Sequence, residues 1–594
     1  MECSTRSTLK SARHTGAYRC RRTALALACS LVTTLGSAAA QQPANTPQPG
    51  ALSAPAAAGR IVFPPSVIPE IPPALPRIRL SAQVSPEAFM RDTLGKLHVQ
   101  SKAIQPLAQS SQLASKSISE SLVGAVENDQ VRAYWHQQTG EAEVFPQFEK
   151  LTSAKFSGKD DAHLQRATGL ARELFARPTI LRADDTQVTV GVARPILGAT
   201  AQTAANGKTT ETAHELYLTY VPAFRSVAGH HVYGTGSRAL LAMGNDGSVQ
   251  GFLRRWKTGT HDGEIRETRT HAQVQDALTK LLEPMARKTD IRVDSVELAY
   301  YDSDEDALVP VYRVTVRIPT QVPAGAAAQK QADSLFVRYL AYGDAKLPDQ
   351  LEQHGPSPTD APKNVASLAQ HEVPPGDPTV GRYVVRDAQS GFVDEANGFW
   401  DGLMSFGGSA LFTNSQYYWA EPWMYTTSEA SFMNSVNVAL TEAHGSNWSF
   451  TTESNCCDVV NINSIPASEG YGAANKGKLA YWIIHSCAVI PSAADVAAWW
   501  TPWFKVFRGL HTVAGSRTEM YFDGGAVNRP FGMDLRLGAP VVSAWFNATL
   551  SYYSGDPPVD RPSTVSACGH QNDTVYNTGA LPAANCLINF WQPD

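Results

Sequence analysis

Two apolar runs in the last third of the chain each finish on a residue suited to nucleophilic chemistry. SVNVALTEAHG closes on His444 and Gly445, and KLAYWIIHSC closes on Ser486 and Cys487. A thiol becomes a useful nucleophile when an imidazole takes its proton, and a histidine at the end of a neighbouring strand is placed to do so. Gly445 has no side chain to keep a substrate from the backbone. Its N–H, with that of Cys487, could face the oxyanion formed in acyl transfer.

Such a pair works only if the elements around it bring the two ends together. From about residue 380 the chain alternates strand-like and helical runs: GRYVVRDA, then the amphipathic EANGFWDGLMSFGG, then QYYWAEPWMY, SVNVALTEAHG, KLAYWIIHSC and GLHTVAGS. AADVAAWWTPWFKVF and PVVSAWFNATLSYY read as later helices. Strands apolar on both faces, alternating with helices, predict a mainly parallel sheet covered on both sides. In such sheets reactive groups gather beyond the carboxyl ends of the strands, where His444 and Cys487 fall.

A strand ending in His-Gly followed by a second ending in Ser-Cys resembles the caspase-like cysteine peptidases, including gingipain, legumain and clostripain. The matching residues are His444 and Gly445 in ALTEAHG and Ser486 and Cys487 in WIIHSC, with GLHTVAG and PVVSAW continuing the likeness to bacterial secreted members. The resemblance covers only the C-terminal region. It implies a three-layer α/β/α fold and peptide-bond hydrolysis through a thioester, with His444 as general base and acid, Cys487 as nucleophile and Gly445 as oxyanion donor. It also places the substrate side-chain pocket after GLHTVAGSRT, where Glu519 and Asp523 would favour a basic group. No acidic residue is identifiable as an orienter of His444, and His485 shares the Cys487 face by alternation.

Two other functions compete for the same residues. An inactive caspase-fold module could bind carbohydrate or peptide through Trp419, Trp423, Trp448, Trp482, Trp499, Trp500 and Trp503. A metal could be held by His444, His485, Cys487 and His511, although that set lacks a ligand repeat. The catalytic reading calls for no cofactor and no metal.

The rest of the chain speaks of location. Arg6, Lys10, Arg13, Arg19, Arg21 and Arg22 precede the apolar TALALACSLVTTLG and the small-residue SAAAQQ, the pattern of a cleavable signal peptide over residues 1–40 with Ala38-x-Ala40 at the cut. A secreted or periplasmic protein is expected. The Pro/Ala-rich stretch 41–79 reads as a linker, 80–344 as an α+β region, 345–379 as a second linker and 380–594 as the α/β/α domain. In the middle region HHVYGTGSRALLAMGNDGSVQGFLRRW and ALVPVYRVTV resemble the PepSY-like propeptide domains of secreted metallopeptidases. That likeness makes it a candidate prodomain, with an independent accessory domain as the alternative. The acidic turn Asp302, Asp304, Glu305 and Asp306 reads as a solvated hairpin tip.

The 594 residues carry a formal net charge of −5, and no basic stripe offers itself to nucleic acid. The expected partner is a peptide or protein substrate, and no stretch beyond the leader is apolar enough to span a membrane. Of eight cysteines, Cys456, Cys457, Cys487, Cys568 and Cys586 lie beyond the leader. Five is odd, so a leftover thiol needs a role, and Cys568 with Cys586 is the favoured bridge.

Overall fold

Period-2 alternation in LPRIRLS puts Leu75, Ile78 and Leu80 indoors, so strand β1 (Ala74–Ser81) forms where the proline-rich composition suggested a tether. The computed structural model describes residues 59–594 except 110–118, 120, 129, 159–161, 288–289, 319–332, 353–354, 363–376, 387–390, 407–410, 453–457, 467, 469 and 553–558. Residues 57–594 form one compact unit. The expected leader and the Cys456–Cys457 pair lie outside the described residues.

The middle region is a set of antiparallel strands with a few helices. After helix α1 (Ala162–Phe175) come β2 (Arg194–Thr203), β3 (Glu215–Val227), β4 (Arg238–Gly244) and β5 (Val249–Arg255). β3, β4 and β5 pair antiparallel in succession. The Asn-Asp-Gly turn joins the last two, with the Asp246 carboxylate accepting from the Ser248 N–H at 2.9 Å. Helix α2 (His271–Leu282) starts at a capping box in which Thr270 and Gln273 satisfy each other's backbone N–H groups. It leads into β6 (Ile291–Asp302), β7 (Ala307–Ile318) and β8 (Ser334–Ala341), an antiparallel set. The turn between β6 and β7 departs from the expected solvated tip at its first residue: Asp302 is 1 % exposed, with Ser237 and Arg225 beside it.

The C-terminal strands are β9 (Thr379–Val384), β10 (Thr413–Trp419), β11 (Val438–Glu442), β12 (Tyr481–His485) and β13 (Thr512–Ser516). They run parallel in the order β10-β9-β11-β12-β13. β9, β11, β12 and β13 are buried on both faces, which is why their sequences are nearly continuous apolar runs. Burying each Leu or Ile of this core contributes about 1.5–3 kcal/mol. The short strand β14 (Tyr521–Phe522) follows, and β15 (Pro562–Ala567) and β16 (Cys586–Trp591) extend the sheet antiparallel.

Helix α3 (Gly391–Leu403) lies against α5 (Asn528–Leu537), and α6 (Val541–Ser551) packs beside α5 on β13 and β15. Gly402 sets the first approach, because a Cβ there would lie 2.2 Å from the Arg529 carbonyl. The helix expected over AADVAAWWTPWFKVF is only α4 (Trp500–Val506). Upstream of it Asp495 is drawn into a local turn, accepting from the Ser492 N–H and hydroxyl and pairing with Arg517. α5 itself was not apparent in the sequence, where Arg529, Pro530 and Gly532 obscure its periodicity.

Regions on either side of 345–379 share sheets and core. β16 pairs with β2, β8 pairs with β14, and α6 contacts β3 and β4. Cys568 and Cys586 are bridged, as expected, with Cα atoms 5.4 Å apart. The bridge joins the end of β15 to the start of β16, and β16 ties to the middle region. Replacing both cysteines by serine should therefore lower stability by about 2–4 kcal/mol. Urea unfolding under non-reducing conditions measures this, and an unchanged midpoint would show that the bridge adds nothing to stability.

Candidate functional site

Glu442 on β11 is the register partner of His485 on β12. Two residues further along each chain stand His444 and Cys487, so they lie past the carboxyl ends of neighbouring parallel strands. Gly445 allows the two ends to close: a Cβ there would fall 2.2 Å from Ser486 Oγ and 2.6 Å from the Cys487 carbonyl. The glycine is thus required by packing, whatever its N–H does in a reaction. Among the described residues, Cys487 is the cysteine outside the bridge, and it is fully buried.

A third residue joins the pair, and it comes from the middle region. Ser334, fully buried at the start of β8, places its hydroxyl 2.7 Å from His444 Nδ1 and 3.7 Å from Cys487 Sγ. The Asp333 carbonyl accepts from the thiol at 3.5 Å, and the Met520 N–H donates to the sulfur at 3.3 Å. β8 is anchored there by parallel pairing of Leu335 with Tyr521 and Phe336 with Phe522. Phe336 and Phe392 present their rings edge-on to the His444 imidazole, which fixes its plane.

The electrostatics describe a resting thiol. Burial pushes the Cys487 thiol up to about 12, against which the Met520 N–H and the Ser334 hydroxyl pull only partly. The sulfur is therefore protonated and not nucleophilic at neutral pH. Under the site lies a second buried group. Glu442 accepts from Asn528 Nδ2 at 2.7 Å and shares a 2.7 Å hydrogen bond with His485 Nδ1. Burial raises the carboxyl of Glu442 and lowers His485, so the two form a neutral pair rather than an ion pair. Glu395 and Asp560, also buried, are pushed up to about 8 and about 7.

Several sequence expectations meet different surroundings. His485 does not face Cys487; it is held by Glu442 and Asn528 against Phe522 and Trp545. His511 precedes β13 at the opposite, amino end of the sheet, so His444, His485, Cys487 and His511 form no common metal site. Glu519 is engaged by Arg317 at 3.1 Å and accepts from the Asp333 N–H at 3.4 Å. Asp523 is buried among the hydroxyls of Tyr339 and Tyr552. Both candidate pocket carboxylates are thus already met by side chains. Trp482, Trp499 and Trp503 are fully buried and Trp419, Trp423, Trp448 and Trp500 half-buried.

Ser334 was missed by sequence reasoning. A serine opening SLFVRYLA carries no local mark of chemistry, and its meeting with the thiol depends on β8 crossing to β14.

A family model described as a domain of unknown function (DUF6345) matches residues 381–579, a span that takes in His444, Gly445 and Cys487. None of the curated proteins matches the chain. Among solved structures, an uncharacterized protein from Eubacterium rectale ATCC 33656 is similar at 12% identity and a TM-score of 0.24. The match covers 46% of this chain and 85% of that one. A score that low carries no argument about fold or activity.

Two outcomes follow from the geometry. Gly445→Ala should destabilise by about 1–3 kcal/mol, because Ser486 and Cys487 cannot both stay in place; an unperturbed chemical-denaturation midpoint would contradict the close approach. Glu395 and Asp560 hold protons in the fold that the unfolded chain releases. Their stabilisation is complete below the ordinary carboxylate range and is lost as pH rises towards about 8. Melting temperature should fall from pH 5 to pH 8, and Glu395→Gln should flatten that slope.

Proposed function

We propose that the chain is an exported cysteine peptidase of caspase-like type whose middle region keeps it latent, with His444 as general base and acid and Cys487 as nucleophile. The observation that carries the reading is the Ser334 hydroxyl, lodged against both His444 Nδ1 and Cys487 Sγ. A group in that position takes the space that a scissile carbonyl would need. The parallel order β10-β9-β11-β12-β13 with an antiparallel β15 supports the three-layer arrangement that the sequence resemblance implies. The basic and apolar leader supports export.

Once Asp333 and Ser334 move away, the thiol loses its carbonyl acceptor and becomes accessible to the imidazole. His444 takes the proton, the sulfur attacks the carbonyl carbon, and the oxyanion is met by the N–H groups at Gly445 and Cys487. The carbon–nitrogen bond breaks as the imidazolium returns the proton to the leaving amine. Water then cleaves the thioester with His444 as base. An extended peptide would replace Asp333–Phe336 along Tyr521–Phe522, using the backbone groups that β8 now occupies.

Loosening the segment should reveal the activity, because glycine at 334 removes the hydroxyl tie to His444 that holds Asp333 against the thiol. Ser334→Gly is expected to hydrolyse a mixed pool of unstructured peptides faster than the parent chain, His444→Ala in that background to lose about 10²-fold or more, and Cys487→Ala to lose all turnover. Hydrolysis that survives Cys487→Ala, or its absence from every form including Ser334→Gly, would overturn the reading.

A further inference from the structure

At the amino end of the same sheet, away from the thiol, three other side chains converge. His511 immediately precedes β13, and its side chain is 3% exposed. His570 and Asp573 lie three residues apart in the loop closed by the Cys568–Cys586 bridge. Asp573 Oδ2 stands 2.5 Å from His511 Nδ1 and 2.8 Å from His570 Nδ1. One ligand atom from each of the three lies within 4.8 Å of the other two.

The hydrogen bond on the far side of His511 decides what its Nδ1 can be. Nε2 lies 2.9 Å from the Gly579 carbonyl, which can only accept, so Nε2 carries the hydrogen. A neutral imidazole in that tautomer points the lone pair of Nδ1 at a carboxylate oxygen. At such a distance the two lone pairs need a proton between them, and an ion with bonds of about 2 Å takes its place once the ligand atoms draw apart to roughly 3 Å; a second imidazole aims its Nδ1 at the same oxygen. An imidazole whose outer N–H is fixed by a carbonyl is the arrangement that orients a metal-binding histidine. Asp573 and the neighbouring Gly569 and Asn572 also border a cavity of about 170 Å³, open enough to supply water as a further ligand.

We propose that His511, His570 and Asp573 bind one divalent transition cation of the zinc type, which staples the disulfide-closed loop to the amino end of the parallel sheet. Two imidazoles and a carboxylate suit such an ion, with water completing its coordination. The site is structural. It lies at the opposite strand ends from His444 and Cys487 and would stand or fall independently of the peptidase reading.

Cobalt reports both occupancy and ligand type. The full-length secreted protein, stripped with chelator and titrated with Co²⁺, should take up one equivalent with weak visible bands and no near-ultraviolet thiolate band. It should also melt at a higher temperature with the ion than without. His570→Gln alters a half-buried ring and should fold; it should abolish the bands and the thermal shift, as should Asp573→Asn. Failure to bind cobalt, a thiolate band pointing to the cysteines, or full binding retained by either variant would overturn the proposal. A melting curve that chelator leaves unchanged would overturn it too, because a proton alone would then fill the gap between His511 and Asp573.

Discussion

The Ser334 hydroxyl is the interaction on which the state of the site depends. It joins an imidazole and a buried thiol that come from two strands of one sheet, and it is delivered by a strand of another region. With it in place the sulfur donates to the Asp333 carbonyl and stays protonated, because burial opposes the thiolate more than the two nearby donors favour it. On the proposed reading, withdrawal of Asp333 and Ser334 would let the imidazole take that proton.

What holds those two residues is distributed rather than strong at one point. Backbone pairing of Leu335 and Phe336 with β14 sets the register. Arg317 then spans Asp294, Asp333 and Glu519 at 2.8, 3.3 and 3.1 Å. These groups are about one-third exposed, so each pair is worth little alone and salt weakens them. Phe336 is fully buried against Phe392 and Phe522, and that apolar contact stabilises the position more than the ion pairs do. β16 also pairs with β2, so the two regions are tied together away from β8 as well.

The neighbourhood of His444 and Cys487 was legible in the sequence because they follow two apolar runs that pair in parallel. Glu442 and His485 are register partners at the carboxyl ends of β11 and β12, so two apolar runs that end just beyond them set His444 and Cys487 at neighbouring strand ends. The alternating strands, helices α3 and α6 and the Cys568–Cys586 bridge followed from periodicity and cysteine arithmetic. Three things did not. The plug comes from a contact between residues far apart in the chain, which no local pattern marks. His485 obeys strand alternation only to the end of β12, after which the chain turns and Cys487 leaves its face. β1 was hidden because prolines dominate the composition around a short alternating run.

On the proposed reading, Cys487 is a sulfur whose reactivity Ser334 and His444 set together. The direct measurement is its rate of alkylation by iodoacetamide across pH, followed by mass spectrometry in the parent protein, Ser334→Gly, and Ser334→Gly with His444→Ala. Slow labelling of the parent that rises only at strongly alkaline pH, fast labelling of Ser334→Gly near neutrality, and loss of that gain in the double variant are the predicted results. Equal rates and equal pH profiles in all three would contradict it.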